Sequence, residues 1–186
     1  MMELFEGKLV RLRPYRDGDL GYFSGLRNDM RTQGWNQRMP PRATPESTRE
    51  RLEDRQKNQH SAVLAIETLD GKLVGYVTYE EGPMRLKAML GAITGPEHWG
   101  KGYAREAQEL MMKFLFEDRG IQVIYLWTTS WNEKAVHGAA KLGFKPAVRL
   151  REATVMDGKR HDAIIMDMVR EEYYAVRGLK DPLSGI

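Results

Sequence analysis

The sequence predicts a mixed α/β fold in which a mostly antiparallel central sheet of about seven strands is flanked by about four helices. Short apolar runs recur along the chain, and some are joined by hairpin turn signals such as Asp70-Gly71 and Asp157-Gly158. Other runs are separated by stretches with apolar residues at steps of three and four, the spacing of a helix that packs on a sheet. The 186 residues are 41% apolar, enough for one domain with a full core.

The expected elements begin with a strand and two helices and continue with three strands. Two helices then alternate with a strand before the final hairpin. The expected strands are 8–13, 61–68, 72–81, 84–94, 121–127, 148–156 and 163–169, and the expected helices are 17–29, 44–58, 103–118 and 132–143. We therefore expect residues 1–186 to form a single domain, with a core over about residues 7–170 and a polar tail over 171–186.

Local signals justify the first elements. The first strand alternates apolar and charged residues and ends at Pro14, as an edge strand would. Asp17 or Asp19 is expected to cap the first helix, and Thr44, followed by Pro45 at the first helical position, is expected to cap the second. The second helix has few apolar positions and should lie on the surface.

The later elements carry equally clear signals. The helix at 103–118 keeps one face apolar and ends at Arg119-Gly120, and the strand at 121–127 is apolar on both faces, as a strand covered on both sides would be. Asn132 is expected to cap a short helix that Gly143 closes. A long hairpin then ends the fold.

Composition and charge exclude several classes of function. The chain has no cysteine and four scattered histidines, so we predict no metal site. No apolar run reaches the roughly 20 residues of a membrane span, and the first residues lack the features of a signal peptide, so we expect a cytoplasmic protein without membrane partners. The net charge is +3, but basic and acidic residues alternate, which does not favour a nucleic-acid partner.

A glycine-containing loop at residues 98–104 is the main candidate for ligand binding. Gly100 and Gly102 allow a tight turn and a close backbone approach just where a helix begins at Tyr103, a place that favours anions. Lys101 and Arg105 add positive charge there. The pattern is neither a Walker loop nor a Rossmann fingerprint, so phosphate binding and a plain turn both remain open.

Two motifs give the chain a resemblance to a known family. The first runs Pro96-Glu97-His98-Trp99-Gly100-Lys101-Gly102-Tyr103-Ala104, and the second is Asn132-Glu133-Lys134-Ala135 followed by Lys141-Leu142-Gly143-Phe144. Over about residues 7–170 the chain resembles the GNAT superfamily of acetyl-CoA-dependent N-acetyltransferases. The form of the first motif and the turn at 157–162 look most similar to the branch of ribosomal-protein N-terminal acetyltransferases and their relatives.

The resemblance implies specific contacts with acetyl-CoA as co-substrate. Backbone amides of Gly100, Lys101, Gly102, Tyr103 and Ala104, with Arg105 beside them, would hold the pyrophosphate. The strand end Ala92-Ile93-Thr94 would pair with the pantetheine arm, and an N–H near Ile93 could polarise the thioester carbonyl. Asn132 and Ala135 would contact the same arm. For Asn132 the alternative is a plain helix cap.

The chain departs from the family's pattern at two positions that matter for catalysis. The family commonly has a glutamate where Met89 stands, and often a tyrosine where Ala139 stands. Neither replacement can move a proton. Glu152 and Ser130 are the candidates best placed by topology, and their alternatives are a solvated strand residue and a polar strand end.

We therefore predict an enzyme that transfers acetyl from acetyl-CoA to a primary amine, either a protein N-terminus or a small-molecule amine, by direct attack on the thioester. A non-catalytic acyl-CoA-binding module and a basic RNA-associated protein are the alternatives. The acceptor pocket is expected from the loop at 28–44 and the terminal hairpin, which could also support a homodimer.

Overall fold

The computed structural model describes residues 5–33 and 40–184. Contacts divide the chain into two compact units, the first comprising the described residues up to Glu80 and Leu90–Met111, the second Glu81–Met89 and the described residues from Met112 onward. Within the described residues the strands are β1 Val10–Pro14, β2 Ser61–Thr68, β3 Leu73–Glu81, β4 Lys87–Thr94, β5 Val123–Thr129, β6 Lys145–Met156 and β7 Lys159–Val169. The α-helices are α1 Leu20–Asn28, α2 Pro45–Lys57, α3 Tyr103–Lys113, α4 Glu133–Leu142 and α5 Arg170–Val176.

The strands form one seven-stranded sheet in the order β1-β2-β3-β4-β5-β7-β6. The pairs β1–β2, β2–β3, β5–β7 and β6–β7 are antiparallel, whereas β4 and β5 run parallel. The predicted fold class, a mostly antiparallel sheet flanked by helices, is confirmed.

In the first unit, α1 and α2 pack on the sheet through a small apolar core. The core joins residues of both helices to β2 and β3, namely Leu20, Phe23, Leu26, Leu52, Val63, Ala65 and Tyr76. The rings of Phe23 and Tyr76 meet edge to face with centroids 4.9 Å apart. As predicted, Thr44 caps α2, accepting the Ser47 N–H over 3.2 Å. Asp19 does not cap α1 with its side chain, because its carboxylate binds the guanidinium of Arg13 instead.

The predicted helix at 103–118 is α-helical only to Lys113 and continues as a π-helical turn, Phe114–Asp118. Ile121, the first residue of the predicted strand at 121–127, lies outside the observed strand because its backbone N–H donates to the Leu115 carbonyl over 3.0 Å. Strand β5 therefore begins at Val123. Trp127 is 45% exposed, so β5 is not covered on both faces as the apolar run suggested.

The polar tail expected from residue 171 begins instead with a fifth helix, α5, which lies in the second unit. Tyr173 and Tyr174 are buried there, and Tyr173 stacks on Phe116 with ring centroids 4.6 Å apart. The buried guanidinium of Arg170 binds Asp181 over 2.9 Å. Aromatic burial and this ion pair order residues whose polar neighbours had suggested a solvated end.

Candidate active site

The glycine loop turns through backbone conformations that side chains disfavour. Gly100 has φ +77° and Gly102 has φ +85°, both in the left-handed region. A Cβ atom at Gly102 would lie 3.3 Å from Cδ1 of Leu9, so the loop also fits closely against the residues before β1. The predicted need for glycine at these two positions is confirmed.

The loop ends at the start of α3, where the first N–H groups of the helix lack intrahelical partners. The Glu106 N–H donates to the Gly102 carbonyl over 2.9 Å, which makes this the first bond of α3. The N–H groups of residues 103–105 precede it and have no carbonyl partner within the helix. Lys101 is exposed beside them, and Arg105 forms an ion pair with Glu109 over 3.0 Å. Amides and cations thus converge as an anionic group requires.

The side chain of Glu106 fixes this helix start to the strand beside it. Its carboxylate accepts the N–H groups of Lys8, Leu9 and Val10 over 2.9, 2.7 and 2.8 Å. Gly7 leaves room for that carboxylate, since a Cβ there would lie 2.5 Å from Cδ of Glu106. This contact was not predicted, because it joins residues almost a hundred positions apart.

The end of β4 offers an unpaired backbone edge. Pairing of β4 with β5 covers only Lys87 to Met89 among the described residues. The Leu86 carbonyl accepts the Val123 N–H, whereas the Gly95 N–H donates to Val74 of β3. Alternation along the strand therefore turns the peptide groups of Ala92 toward the free edge and those of Ile93 toward β3.

Neighbouring side chains hold this strand end in place. The indole Nε1–H of Trp99 donates to the Thr94 carbonyl over 3.1 Å, so that carbonyl already has a partner. The Ala92 N–H faces the free edge, where the thioester carbonyl is predicted to accept a hydrogen bond. An extended amide-bearing arm could pair with this edge as a strand does. Assignment of Ala92, Ile93 and Thr94 to acetyl-CoA stays a prediction.

Tyr22 and Glu97 form a polar pair beside the strand end that sequence reasoning missed. The Tyr22 hydroxyl donates to Oε1 of Glu97 over 2.8 Å, and it would lie 2.3 Å from a Cβ at Gly95. Burial, followed by the hydrogen bond to Glu97, raises the pKa of Tyr22. Tyr22 is therefore a neutral donor at neutral pH and braces the turn after β4.

His98 lies in the same turn and is only 3% exposed. The backbone N–H of His98 donates to the Gly95 carbonyl over 2.9 Å. Burial lowers the pKa of His98 despite the nearby Glu97 carboxylate, so the imidazole is neutral at neutral pH. His98 therefore braces the turn after β4 as a neutral side chain.

Asn132 and Ala135 lie in the second unit, at the start of α4. Oδ1 of Asn132 accepts the Ala135 N–H over 3.3 Å, which confirms the predicted helix cap. Gly143 ends α4 with φ +99°, also as predicted. Contact of Asn132 and Ala135 with the pantetheine arm stays a prediction.

The two catalytic candidates also lie in the second unit, and both are engaged in hydrogen bonds. Oγ of Ser130 accepts the Asp162 N–H over 3.1 Å. Glu152 has φ +52°, its side chain is 65% exposed, and Oε2 accepts from Arg160 over 3.0 Å. Their catalytic roles stay predictions.

The loop expected to contribute to the acceptor pocket, residues 28–44, includes 34–39, which lie outside the described residues. Asn28 ties its two ends together. Its Nδ2 donates to the Ala43 carbonyl over 2.7 Å, and its Oδ1 accepts the N–H groups of Arg42 and Ala43 over 3.0 and 2.8 Å.

Within the described chain, no three His, Asp or Glu side chains gather in a way that could hold a metal ion, and no helix has the length and apolarity to cross a membrane.

Comparison with known proteins identifies the family. The family model for the acetyltransferase (GNAT) domain matches residues 10–145. The chain belongs to the GNAT acetyltransferase family. It is also 30% identical over 167 residues to spermidine N(1)-acetyltransferase of Escherichia coli (strain K12), covering 89% of each chain. The corresponding Vibrio cholerae enzyme is 28% identical over 168 residues, covering 88% of this chain and 95% of that one.

Solved structures agree on the fold. The crystal structure of spermidine N-acetyltransferase from Vibrio cholerae in complex with CoA and spermine superposes with a TM-score of 0.80 at 24% identity, over 90% of this chain and 99% of that chain. The GNAT chain is an acetyl-CoA-dependent N-acetyltransferase, and acetyl-CoA as co-substrate fits the glycine loop and helix start described above.

Proposed function

We propose that this acetyltransferase acetylates the primary amine of a small molecule. The observation that carries the proposal is the loop at Gly100 and Gly102, which opens α3 beside the free edge of β4 in a GNAT chain. Named relatives that act on spermidine support a small-molecule acceptor. The more specific resemblance to the ribosomal-protein branch, and with it a protein N-terminus as acceptor, stays a prediction.

The reaction would proceed by direct attack on the thioester. The neutral amine nitrogen adds to the carbonyl carbon, the C–S bond breaks, CoA leaves as thiolate, and the ammonium proton is lost to solvent or a base. The backbone N–H of Ala92 would stabilise the oxygen that gains charge. The amides after Gly100 would hold the pyrophosphate and so fix the thioester in place.

We propose that the amine loses its proton without a strong base, and that Glu152 and Ser130 assist at most weakly. Met89 stands where the family commonly has a base, and Ala139 where it often has an acid. Glu152 is exposed and paired with Arg160, and Ser130 accepts an N–H. The fraction of neutral amine then sets the rate, which should rise with pH as the acceptor loses its own proton. An α-amine should be acetylated faster than a lysine-like amine at pH 7, and Glu152→Gln should change either rate little.

Two measurements test the proposed function. Isothermal titration of acetyl-CoA should show binding that Gly102→Val abolishes or greatly weakens. CoA release should follow addition of at least one member of an amine panel that includes polyamines, amino acids, aminoglycosides and peptides with free N-termini. Firm acetyl-CoA binding without CoA release from any amine would contradict the proposal, as would a Gly102→Val protein that binds normally.

Two further proposals concern the whole chain. We propose that residues 1–186 act as one N-acetyltransferase domain, because the family match at 10–145 runs through both compact units. We also propose that the chain forms a homodimer through β6, which is the outermost strand in the sheet order and is exposed from Lys145 to Ala153. Light scattering should give a dimer mass that Val148→Lys, on this strand, converts to a monomer mass.

A further inference from the structure

A small cavity in the first unit has a strongly basic lining. It lies where α1, α2, β2 and β3 meet and measures about 20 Å³, room for one small polar group rather than for a whole substrate. Its polar lining consists of three arginines, two threonines and a tyrosine, namely Arg27, Arg51, Arg55, Thr48, Thr78 and Tyr76. No Asp or Glu belongs to the lining over the described residues.

The arginines are only partly compensated by the protein. Arg27 donates to Oγ1 of Thr48 over 3.2 Å, and Arg55 reaches the exposed carboxylate of Glu80 over 3.3 Å. Nε of Arg55 is buried and has no hydrogen-bond partner in the part of the chain described. Burial lowers the pKa of both Arg27 and Arg55. For Arg27 the positive charge of Arg51 lowers the pKa further.

Such a site suits an anionic group. Guanidinium groups bind planar carboxylates and phosphates through paired N–H bonds, and the threonine hydroxyls can donate to the same oxygens. A bound anion would relieve the repulsion between the arginines and satisfy Nε of Arg55. A polycation such as spermidine would instead be repelled.

The cavity lies close to the strand that is expected to hold the thioester. Thr78 of its lining faces Gly91 of β4, since a Cβ at Gly91 would lie 3.2 Å from Oγ1 of Thr78. Ile93, two residues along the same face of β4, packs against the core that includes Phe23 and Tyr76. A ligand whose charged end occupied the cavity could therefore extend along β4 toward Ala92.

We propose that this cavity binds a carboxylate or phosphate group carried by the amine acceptor, so that the substrate is an anionic or zwitterionic amine rather than a polyamine. The inference rests on the proposed function, because it names the acceptor of that reaction. It also separates this chain from its spermidine-acetylating relatives by the charge of the acceptor.

The test compares acceptors that differ only at the end remote from the amine. Aliphatic amines with a terminal carboxylate, phosphate, amide or second amine are compared at several chain lengths, and kcat/KM is measured from CoA release. We expect the carboxylate or the phosphate series to exceed the amide and the diamine by about tenfold or more. Whichever anionic series is preferred identifies the group that the cavity binds.

A matched pair of variants on α2 locates the effect. Arg51→Gln removes an exposed arginine of the lining and should lower kcat/KM for the preferred anionic amine by about tenfold, with little change for its amide. Arg49→Gln removes an arginine of the same helix that pairs with Asp17 instead, and should change neither value. Circular dichroism is used to check that both variants fold.

The outcomes that would contradict the proposed function differ from those that would contradict only this inference. Acetyl-CoA binding without CoA release from any amine would defeat the proposed function itself. CoA release with equal use of anionic and amide acceptors, or with diamines preferred, would overturn only this inference. A preference for anionic acceptors that persists in Arg51→Gln would also overturn it, because another part of the protein would then recognise the negative charge of the acceptor.

Discussion

Glu106 in the first turn of α3 is bonded to the backbone of Val10 in β1, with the Val10 N–H 2.8 Å from Oε2. The same carboxylate accepts the N–H groups of Lys8 and Leu9. Leu9 also contacts the position where a Cβ would stand on Gly102. One carboxylate thus holds the segment that supports the glycine loop.

Replacement of Glu106 should therefore destabilise the protein. In Glu106→Ala three backbone N–H groups lose their acceptor, and we expect the free energy of unfolding to fall by about 1–3 kcal/mol, since two of the three groups can turn to water. Glu109→Ala, which breaks an exposed ion pair with Arg105 on the same helix, is the control and should have a smaller effect. If urea denaturation gave equal losses of unfolding free energy for the two variants, the Glu106 contact would be unimportant for stability.

A second prediction concerns acetyl-CoA affinity. Gly102→Ala places a Cβ on a residue with φ +85°, a conformation that costs other residues about 1–2 kcal/mol, so affinity should fall by roughly tenfold as the loop shifts. Gly138→Ala is the control, because a Cβ there meets no atom within 4 Å and Gly138 lies inside α4. Isothermal titration should show normal affinity for the control. Equal losses of acetyl-CoA affinity in Gly102→Ala and Gly138→Ala would mean that the loop conformation does not govern binding.

The parts of the fold that the sequence predicted are those set by local rules. Thr44 and Asn132 could be recognised as caps, and Gly100 and Gly102 as a turn, because each role depends on neighbouring residues and on backbone angles. The alternation of apolar residues likewise placed the strands within a few positions.

The unpredicted parts depend on contacts between distant residues. Glu106 resembles any acidic residue in a first helical turn, and only the fold brings Lys8 to Val10 against it. Arg27, Arg51 and Arg55 resemble solvated helix residues, yet they line one cavity. Residue spacing on each helix cannot reveal a site that two helices and a sheet share.

A third prediction concerns a buried ionic cluster in the first unit. Arg13 binds Oδ2 of Asp19 over 2.7 Å and Oε2 of Glu67 over 2.6 Å, and all three side chains are at most 13% exposed. Arg13→Met leaves two buried carboxylates with fewer partners, so the free energy of unfolding should fall by about 3–5 kcal/mol. Arg31→Met, which breaks the exposed pair with Asp29, should have a much smaller effect in the same urea titration.

The same cluster gives a pH dependence. Burial opposes ionisation of Asp19 and Glu67, but hydrogen bonds from Arg13 and other donors outweigh it and lower both pKa values below the ordinary 3.8 and 4.5. Their contribution to stability is therefore fully present above about pH 5 and is lost as pH falls through the lowered values. Arg13→Met should flatten this acid limb of the stability curve. An unchanged curve in the variant would show that the cluster is not its source.

The last prediction concerns the approach of β3 to β4. A Cβ at Gly75 would lie 2.0 Å from the Ile93 carbonyl oxygen and 2.8 Å from the Thr94 Cα, so only glycine allows the two backbones to pack as they do. Gly75→Ala should separate the strands, which costs stability of about 1–3 kcal/mol or more and also displaces Ala92 from the position proposed for the thioester contact.

Two readouts separate the effects of Gly75→Ala on folding and on the site. At a temperature where circular dichroism shows the variant fully folded, acetyl-CoA affinity should still be reduced, because the strand end remains displaced. Gly25→Ala in α1, where a Cβ meets no atom within 4 Å, should instead raise stability slightly and leave affinity unchanged. A folded Gly75→Ala protein that binds acetyl-CoA normally would mean that the end of β4 does not hold the thioester, since its backbone could move without consequence.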